Sequence, residues 1–123
     1  HSSQAAGGAT SGMAHEMDNA ATYFADHYNE QINIEEYAGT LGMSVSWFIR
    51  NFRQHIGTTP AQYIMAKRIM SAQMLIESSD YNMTEIARIV GYDNPLYFSR
   101  VFSKEKGISP TEYRKALRMN RKP

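Results

Sequence analysis

The feature that most constrains this chain is that it repeats itself. Residues 48–63, FIRNFRQHIGTTPAQY, align with 98–113, FSRVFSKEKGISPTEY, at a constant offset of 50. The identities are Phe48/Phe98, Arg50/Arg100, Phe52/Phe102, Gly57/Gly107, Pro60/Pro110 and Tyr63/Tyr113. Self-similarity at a fixed period means that one supersecondary unit is used twice. Upstream the match continues at an offset of 49. Ile34, Tyr37, Ala38 and Leu41 recur at helical spacing, Met83, Ile86, Ala87 and Val90 repeat that face, and Gly42 or Gly91 follows. The change of offset predicts one extra residue in the turn of the second copy.

Each copy reads as helix, tight turn, helix, glycine stop and a new helix start. Asn33 with Glu36 and Asn82 with Glu85 are cap-like pairs at matching boundaries. Gly57 and Gly107 sit where a left-handed C-cap ends the second helix. Thr59-Pro60-Ala61-Gln62 and Ser109-Pro110-Thr111-Glu112 each place a capping hydroxyl, a proline at the first helical position and Gln or Glu at the third. Between the copies, Pro60 to about Ser78 carries Ile64, Met65, Ile69, Ala72, Leu75 and Ile76 in one helical pattern, roughly 28 Å long at about 1.5 Å per residue. Ahead of them, Met17, Ala21, Phe24, Ala25 and Tyr28 predict a helix from about Ala14 to Tyr28. No strand signal competes.

The expected fold is all-α: about seven helices forming two helix-turn-helix subdomains joined by a long linker helix. Residues 1–12, small and polar without periodicity, resemble an expression scar or flexible linker and are expected to be disordered. The first subdomain is expected over 13–59, the linker helix over 60–79, and the second subdomain with a basic C-terminal tail over 80–123. That tail, with Arg114, Lys115, Arg118, Arg121 and Lys122, either touches the backbone of a binding partner or frays into solvent. The eight methionines lie at apolar positions and read as packing.

Composition removes several functions. The absence of cysteine excludes disulfides, thiol chemistry and cysteine-ligated metal. No apolar run is long enough for a membrane span, and His1 to Gly12 lacks the build of a secretory signal, so a cytoplasmic protein with no membrane partner is expected. His15-Glu16 begins like a zinc-protease pair, but Asn19 stands where the second histidine belongs. His27 and His55 have no partner at ligand spacing, and no phosphate loop is present. Neither an enzyme nor a cofactor is expected. The net charge of +1 hides an asymmetry: residues 1–49 hold six acids and no Lys or Arg, whereas all 13 bases follow from Arg50 onward. Such polarity suits a polyanionic partner.

The repeated unit fits the helix-turn-helix pattern, with Ala38 permitting close crossing and Gly42 the turn. Its second helix, about Ser44 to His55 or Pro95 to Lys106, enters the major groove in that motif. Phe48 and Phe52 point inward while Ser46, Arg50 and Arg53 lie outward; Phe98 and Phe102 pair against Leu96, Arg100 and Ser103 in the same way. An arginine repeated at one outward position suits bidentate recognition of guanine O6 and N7, each pair giving about 1–3 kcal/mol of discrimination. Successive major-groove faces lie on the order of 34 Å apart, a separation that the linker and its flanking helices can supply. The expected phosphate contacts are Ser44, Arg53, Lys67, Arg68, Lys104 and Lys106. A helical protein-interaction adaptor is the main rival reading. RNA binding is disfavoured because the phenylalanines occupy apolar faces rather than stacking platforms.

These residues resemble the DNA-binding domain of the AraC/XylS family of bacterial transcription regulators from roughly Glu16 to Arg114. The second copy resembles the family signature through Ile86-Ala87, Gly91-Tyr92, Tyr97 to Phe102, Gly107 to Pro110 and Tyr113-Arg114. The first agrees through Ala38, Gly42, Ser44, Phe48, Arg50, Phe52, Gly57, Pro60 and Tyr63, and Arg68 with Ala72 resembles the linker helix. The resemblance implies seven helices, an asymmetric promoter site in double-stranded DNA, recruitment of RNA polymerase, and a sensor or dimerisation domain that this chain lacks. It also implies base-facing roles for Ser46, Ile49 and Arg50 in the first copy and for Leu96, Ser99 and Arg100 in the second. Ile49 and Leu96 are apolar where members often carry polar side chains, and so meet thymine methyl groups or no base. Ser103 stands where a lysine is common.

Overall fold

The computed structural model describes residues 2–121, with side chains described over 12–120. These residues form seven helices and no strand: α1 Ser2–Asp26, α2 Ile34–Thr40, α3 Val45–Ile56, α4 Pro60–Ser78, α5 Met83–Ile89, α6 Pro95–Lys106 and α7 Pro110–Arg121. The starts fall where capping chemistry places them. Asn33 Oδ1 accepts the Glu36 N–H at 2.9 Å, and Asn82 and Glu85 form a full reciprocal box. Thr59 Oγ1 accepts the Gln62 N–H at 3.2 Å and Ser109 Oγ the Glu112 N–H at 3.1 Å, so Pro60 and Pro110 stand where no donor is needed. Gly57 and Gly107 close α3 and α6 with φ of 99° and 84°.

The turn between the paired helices carries the extra residue that the offset predicts. Gly42 lies two residues before the α3 cap Ser44, whereas Gly91 lies three before the α6 cap Asn94. At Gly91 glycine is required twice over. Its φ is 109°, and a Cβ there would meet the Arg68 guanidinium at 3.0 Å and the Asn29 Cα at 3.1 Å. At the N-terminus the backbone is helical from Ser2, ahead of the Ala14 start that periodicity suggests. Residues 2–12 contain no proline, and each residue added to a helix nucleated downstream gains a backbone hydrogen bond without a second nucleation cost. His1 and Lys122 lie outside the described residues.

Two compact units divide the chain, and the boundary falls inside α4. The first comprises residues up to His27 with Ile32–Met65; the second comprises Tyr28–Gln31 and everything from Ala66 onward. The linker helix is therefore no separate piece: its first turns belong to one core and the remainder to the other. The first core draws Met17, Ala20, Ala21 and Phe24 from α1, Ala38 from α2, Phe48 and Phe52 from α3, and Ile64 from α4. It is built of rings. Phe24 lies 5.2 Å from Tyr37, 6.2 Å from Phe48 and 5.6 Å from Phe52, and Tyr63 meets Phe52 edge-on at 5.6 Å.

In the second unit Ile69, Ala72 and Ile76 of α4 join Ile86, Ala87, Val90, Tyr92, Phe98 and Phe102 in the core. Tyr28, which periodicity assigns to the α1 face, belongs here: its hydroxyl bonds Ser71 Oγ at 2.7 Å. Tyr113 donates to the Glu77 carboxylate at 2.6 Å and accepts from Gln73 Nε2 at 2.8 Å. The bond to Glu77, with some burial, pushes this phenol above its ordinary value. The methionines are not all packing. Met17 is fully buried, but Met70, Met74 and Met119 are 55%, 62% and 71% exposed, the first two because they lie on the side of α4 away from Ile69, Ala72 and Ile76.

Candidate nucleic-acid interface

The α3 helix is aimed by its cap and its buried side. Ser44 Oγ accepts the Trp47 N–H at 3.1 Å, and Phe48 and Phe52 are fully buried, which fixes the helix's rotation. Ser46, Ile49, Arg50 and Arg53 consequently emerge into solvent, with Arg53 in the last turn. The Ser44 hydroxyl, an acceptor towards Trp47, still has a proton to donate at the positive end of the helix.

The α6 helix repeats the arrangement with different parts. Asn94 Oδ1 accepts the Leu96 and Tyr97 N–H groups at 2.9 and 3.4 Å, and Pro95 takes the first helical position. Phe98 and Phe102 are fully buried, Leu96 is 73% exposed, and Arg100, Lys104 and Lys106 are exposed. Ser99 is half-buried. Ser103, which the wheel places outward, is half-buried and donates to the Ser99 carbonyl at 2.8 Å, as serine does when it back-bonds within a helix. That hydroxyl proton is spent inside the helix.

Arg68 departs from its expected place at a phosphate. Its Nε donates to the Tyr28 carbonyl at 2.6 Å and its Nη2 to the Glu30 carbonyl at 2.8 Å, while Cζ lies 4.9 Å from the centre of the Tyr92 ring. Burial pushes the Tyr92 phenol up, and Arg68 opposes the shift. The reason is local: the carbonyls of the 28–30 loop lack helical partners and a guanidinium supplies donors in a fixed fork. Arg114, expected in the tail, does the same for the segment after α4. It donates to the Ile76, Tyr81 and Ser79 carbonyls at 3.4, 2.6 and 3.0 Å. Arg118 pairs with Asp80 at 3.3 Å, both well exposed, which contributes little. Lys67 is half-buried on α4.

Trp47 escaped the sequence reading, and Tyr97 entered it only within the family signature, not as a site residue. Trp47 is 49% exposed and Tyr97 is 53% exposed, and they hold the same register in the two copies. The available signal was the helical wheel: the residue before an inward phenylalanine is rotated by about 100° onto the flank. Among the described residues no group of three or more His, Asp or Glu side chains is placed to hold a metal ion, and no helix is long and apolar enough to cross a membrane.

Comparison with known proteins agrees with this geometry. The helix-turn-helix domain family matches residues 37–116. The MmsAB operon regulatory protein of Pseudomonas aeruginosa is 33% identical over 103 residues, covering 84% of this chain and 34% of that protein. The transcriptional activator RhaS of Salmonella paratyphi B is 32% identical over 107 residues, covering 87% and 38%. The chain thus spans about a third of the length of these curated relatives. Among solved structures, the DNA-binding domain of the global transcriptional factor AdpA, crystallised with a target DNA, superposes with a TM-score of 0.79 at 33% identity, covering 85% of this chain and 95% of that one.

Proposed function

From the premise that the chain belongs to the AraC/XylS family of helix-turn-helix DNA-binding domains, we propose that it reads double-stranded DNA through two major-groove helices, α3 and α6, to regulate bacterial transcription. Ser46, Ile49 and Arg50 face bases in one groove, and Leu96, Ser99 and Arg100 face bases in the other. Ser44, Arg53, Lys67, Lys104 and Lys106 hold phosphates, which positions the helices without carrying sequence information. The observation that carries this reading is the repeated arginine: Arg50 and Arg100 occupy one register on the exposed sides of two helices whose opposite sides are buried phenylalanines. The helical-adaptor reading gives no reason for that pairing.

Attraction between basic side chains and phosphates supplies much of the affinity and makes it depend on salt. The work takes place where bacterial DNA lies, in the cytoplasm. The relatives named operon regulator and transcriptional activator support action at promoters, and the proposal includes RNA polymerase as a partner and a sensory or dimerising region in the complete regulator.

Enrichment of bound duplexes from a random library at two salt concentrations tests this. A motif with two separated halves is expected. Arg50→Ala and Arg100→Ala should each relax one position, by about 1–3 kcal/mol of discrimination, with circular dichroism unchanged. No enrichment at either salt would move the adaptor reading to first place.

A further inference from the structure

The chain has a single tryptophan, and the core does not use it. Trp47 stands in the first turn of α3, 49% exposed, with its backbone held from both sides. Its N–H meets the Ser44 cap at 3.1 Å. Its carbonyl accepts Nδ2 of Asn51 at 2.8 Å, and Asn51 is a polar residue only 7% exposed. One turn further on, Cζ of Arg50 lies 6.0 Å from the centre of the Trp47 ring, within reach of a cation–π attraction.

The second copy lacks this arrangement although its register is the same. Val101 replaces Asn51 and has no amide to donate. Tyr97 replaces Trp47, and its ring is engaged edge-on with Tyr92 at 5.7 Å.

Resting on the base-reading role given to Arg50 above, we propose that Trp47 is a positioning residue for Arg50. The ring face restricts the long guanidinium stem before DNA arrives, so less rotamer freedom is lost when the planar fork meets a base. Cap, amide and ring together make α3 the pre-organised reader of the pair. Trp47 therefore acts on base selectivity through Arg50, and Tyr97 has no such influence on Arg100.

The test compares dissociation constants of the whole chain for its library-selected duplex and for a duplex changed at the base pair that Arg50→Ala relaxes. Trp47→Ala should cut the ratio of the two about two- to fivefold, with the salt slope unchanged, and Trp47→Phe should retain part of it. In an Arg50→Ala background Trp47→Ala should change the ratio no further, and Tyr97→Ala should leave selectivity at the Arg100 base pair intact. Because there is one tryptophan, its emission in the free protein reads the contact directly and should differ between the native chain and Arg50→Ala. An unchanged ratio in Trp47→Ala overturns the proposal while leaving Arg50 as a reader. A further loss in the double variant also overturns it, because Trp47 then touches DNA itself. Arg50→Ala without relaxation at any base pair removes Arg50 from base reading, and the Trp47 role with it.

Discussion

In the first copy α2 buries Ala38, whereas in the second copy α5 buries Ile86 and Ala87 and is followed by the buried Val90. Tyr37 and Leu41, which stand where Ile86 and Val90 do, are only half-buried. The deficit in the first unit is met by α1, whose Phe24 sits among Tyr37, Phe48 and Phe52. The second unit instead draws Ile69, Ala72 and Ile76 from α4. Both solutions present a recognition helix with two fully buried phenylalanines and an exposed arginine. The rotation of such a helix depends on its own buried face, so the material behind that face can vary.

The largest effect that should separate the two units is Phe24→Ala. Removing a fully buried ring costs about 3–5 kcal/mol, and hydrogen exchange should show protection lost in α2 and α3 while α5 and α6 keep theirs. Equal loss in both pairs would break the distinction. Next, Arg68→Ala and Arg114→Ala should each cost about 1.5–3 kcal/mol, the range for hydrogen bonds to charged groups. Denaturant titration should locate both losses in the second unit, and lysine should rescue neither, because an ammonium cannot reproduce the fork. A stable Arg68→Ala protein with a shallower salt slope in DNA binding would return that residue to the phosphate set. The smallest effect separates the caps: Asn82→Ala should cost about 1 kcal/mol and exceed Asn33→Ala. Asn82 and Glu85 exchange two bonds, whereas the bond at the other cap runs from the Glu36 N–H to Asn33. Thermal midpoints of the two variants decide it.

Much of this architecture was legible in the residues themselves. The bounds of α4 and α6 and the extra turn residue of the second copy follow from Pro60, Pro95, Gly91 and the change of offset. The candidate interface was legible in part. Arg50, Arg100, Lys104 and Lys106 are exposed as their spacing implies, but Ser103 turns back to its own helix. The helical wheel sets Trp47 on the flank of α3 and Met70 and Met74 opposite the apolar side of α4, but Arg68 could not be placed by periodicity, which does not say which neighbours arrive.

The sequence by itself determined where helices begin and end and that one unit is used twice, because caps, glycine stops and apolar spacing act between residues a few positions apart. Only the tertiary structure decided that two further arginines are spent on carbonyls. Arg68 and Arg114 carry the same guanidinium as Arg50 and Arg100, but their acceptors lie 33 to 40 residues away in the chain. A loop brought that close offers carbonyls without helical partners, and a guanidinium, with its donors in a fixed fork, meets two or three of them at once.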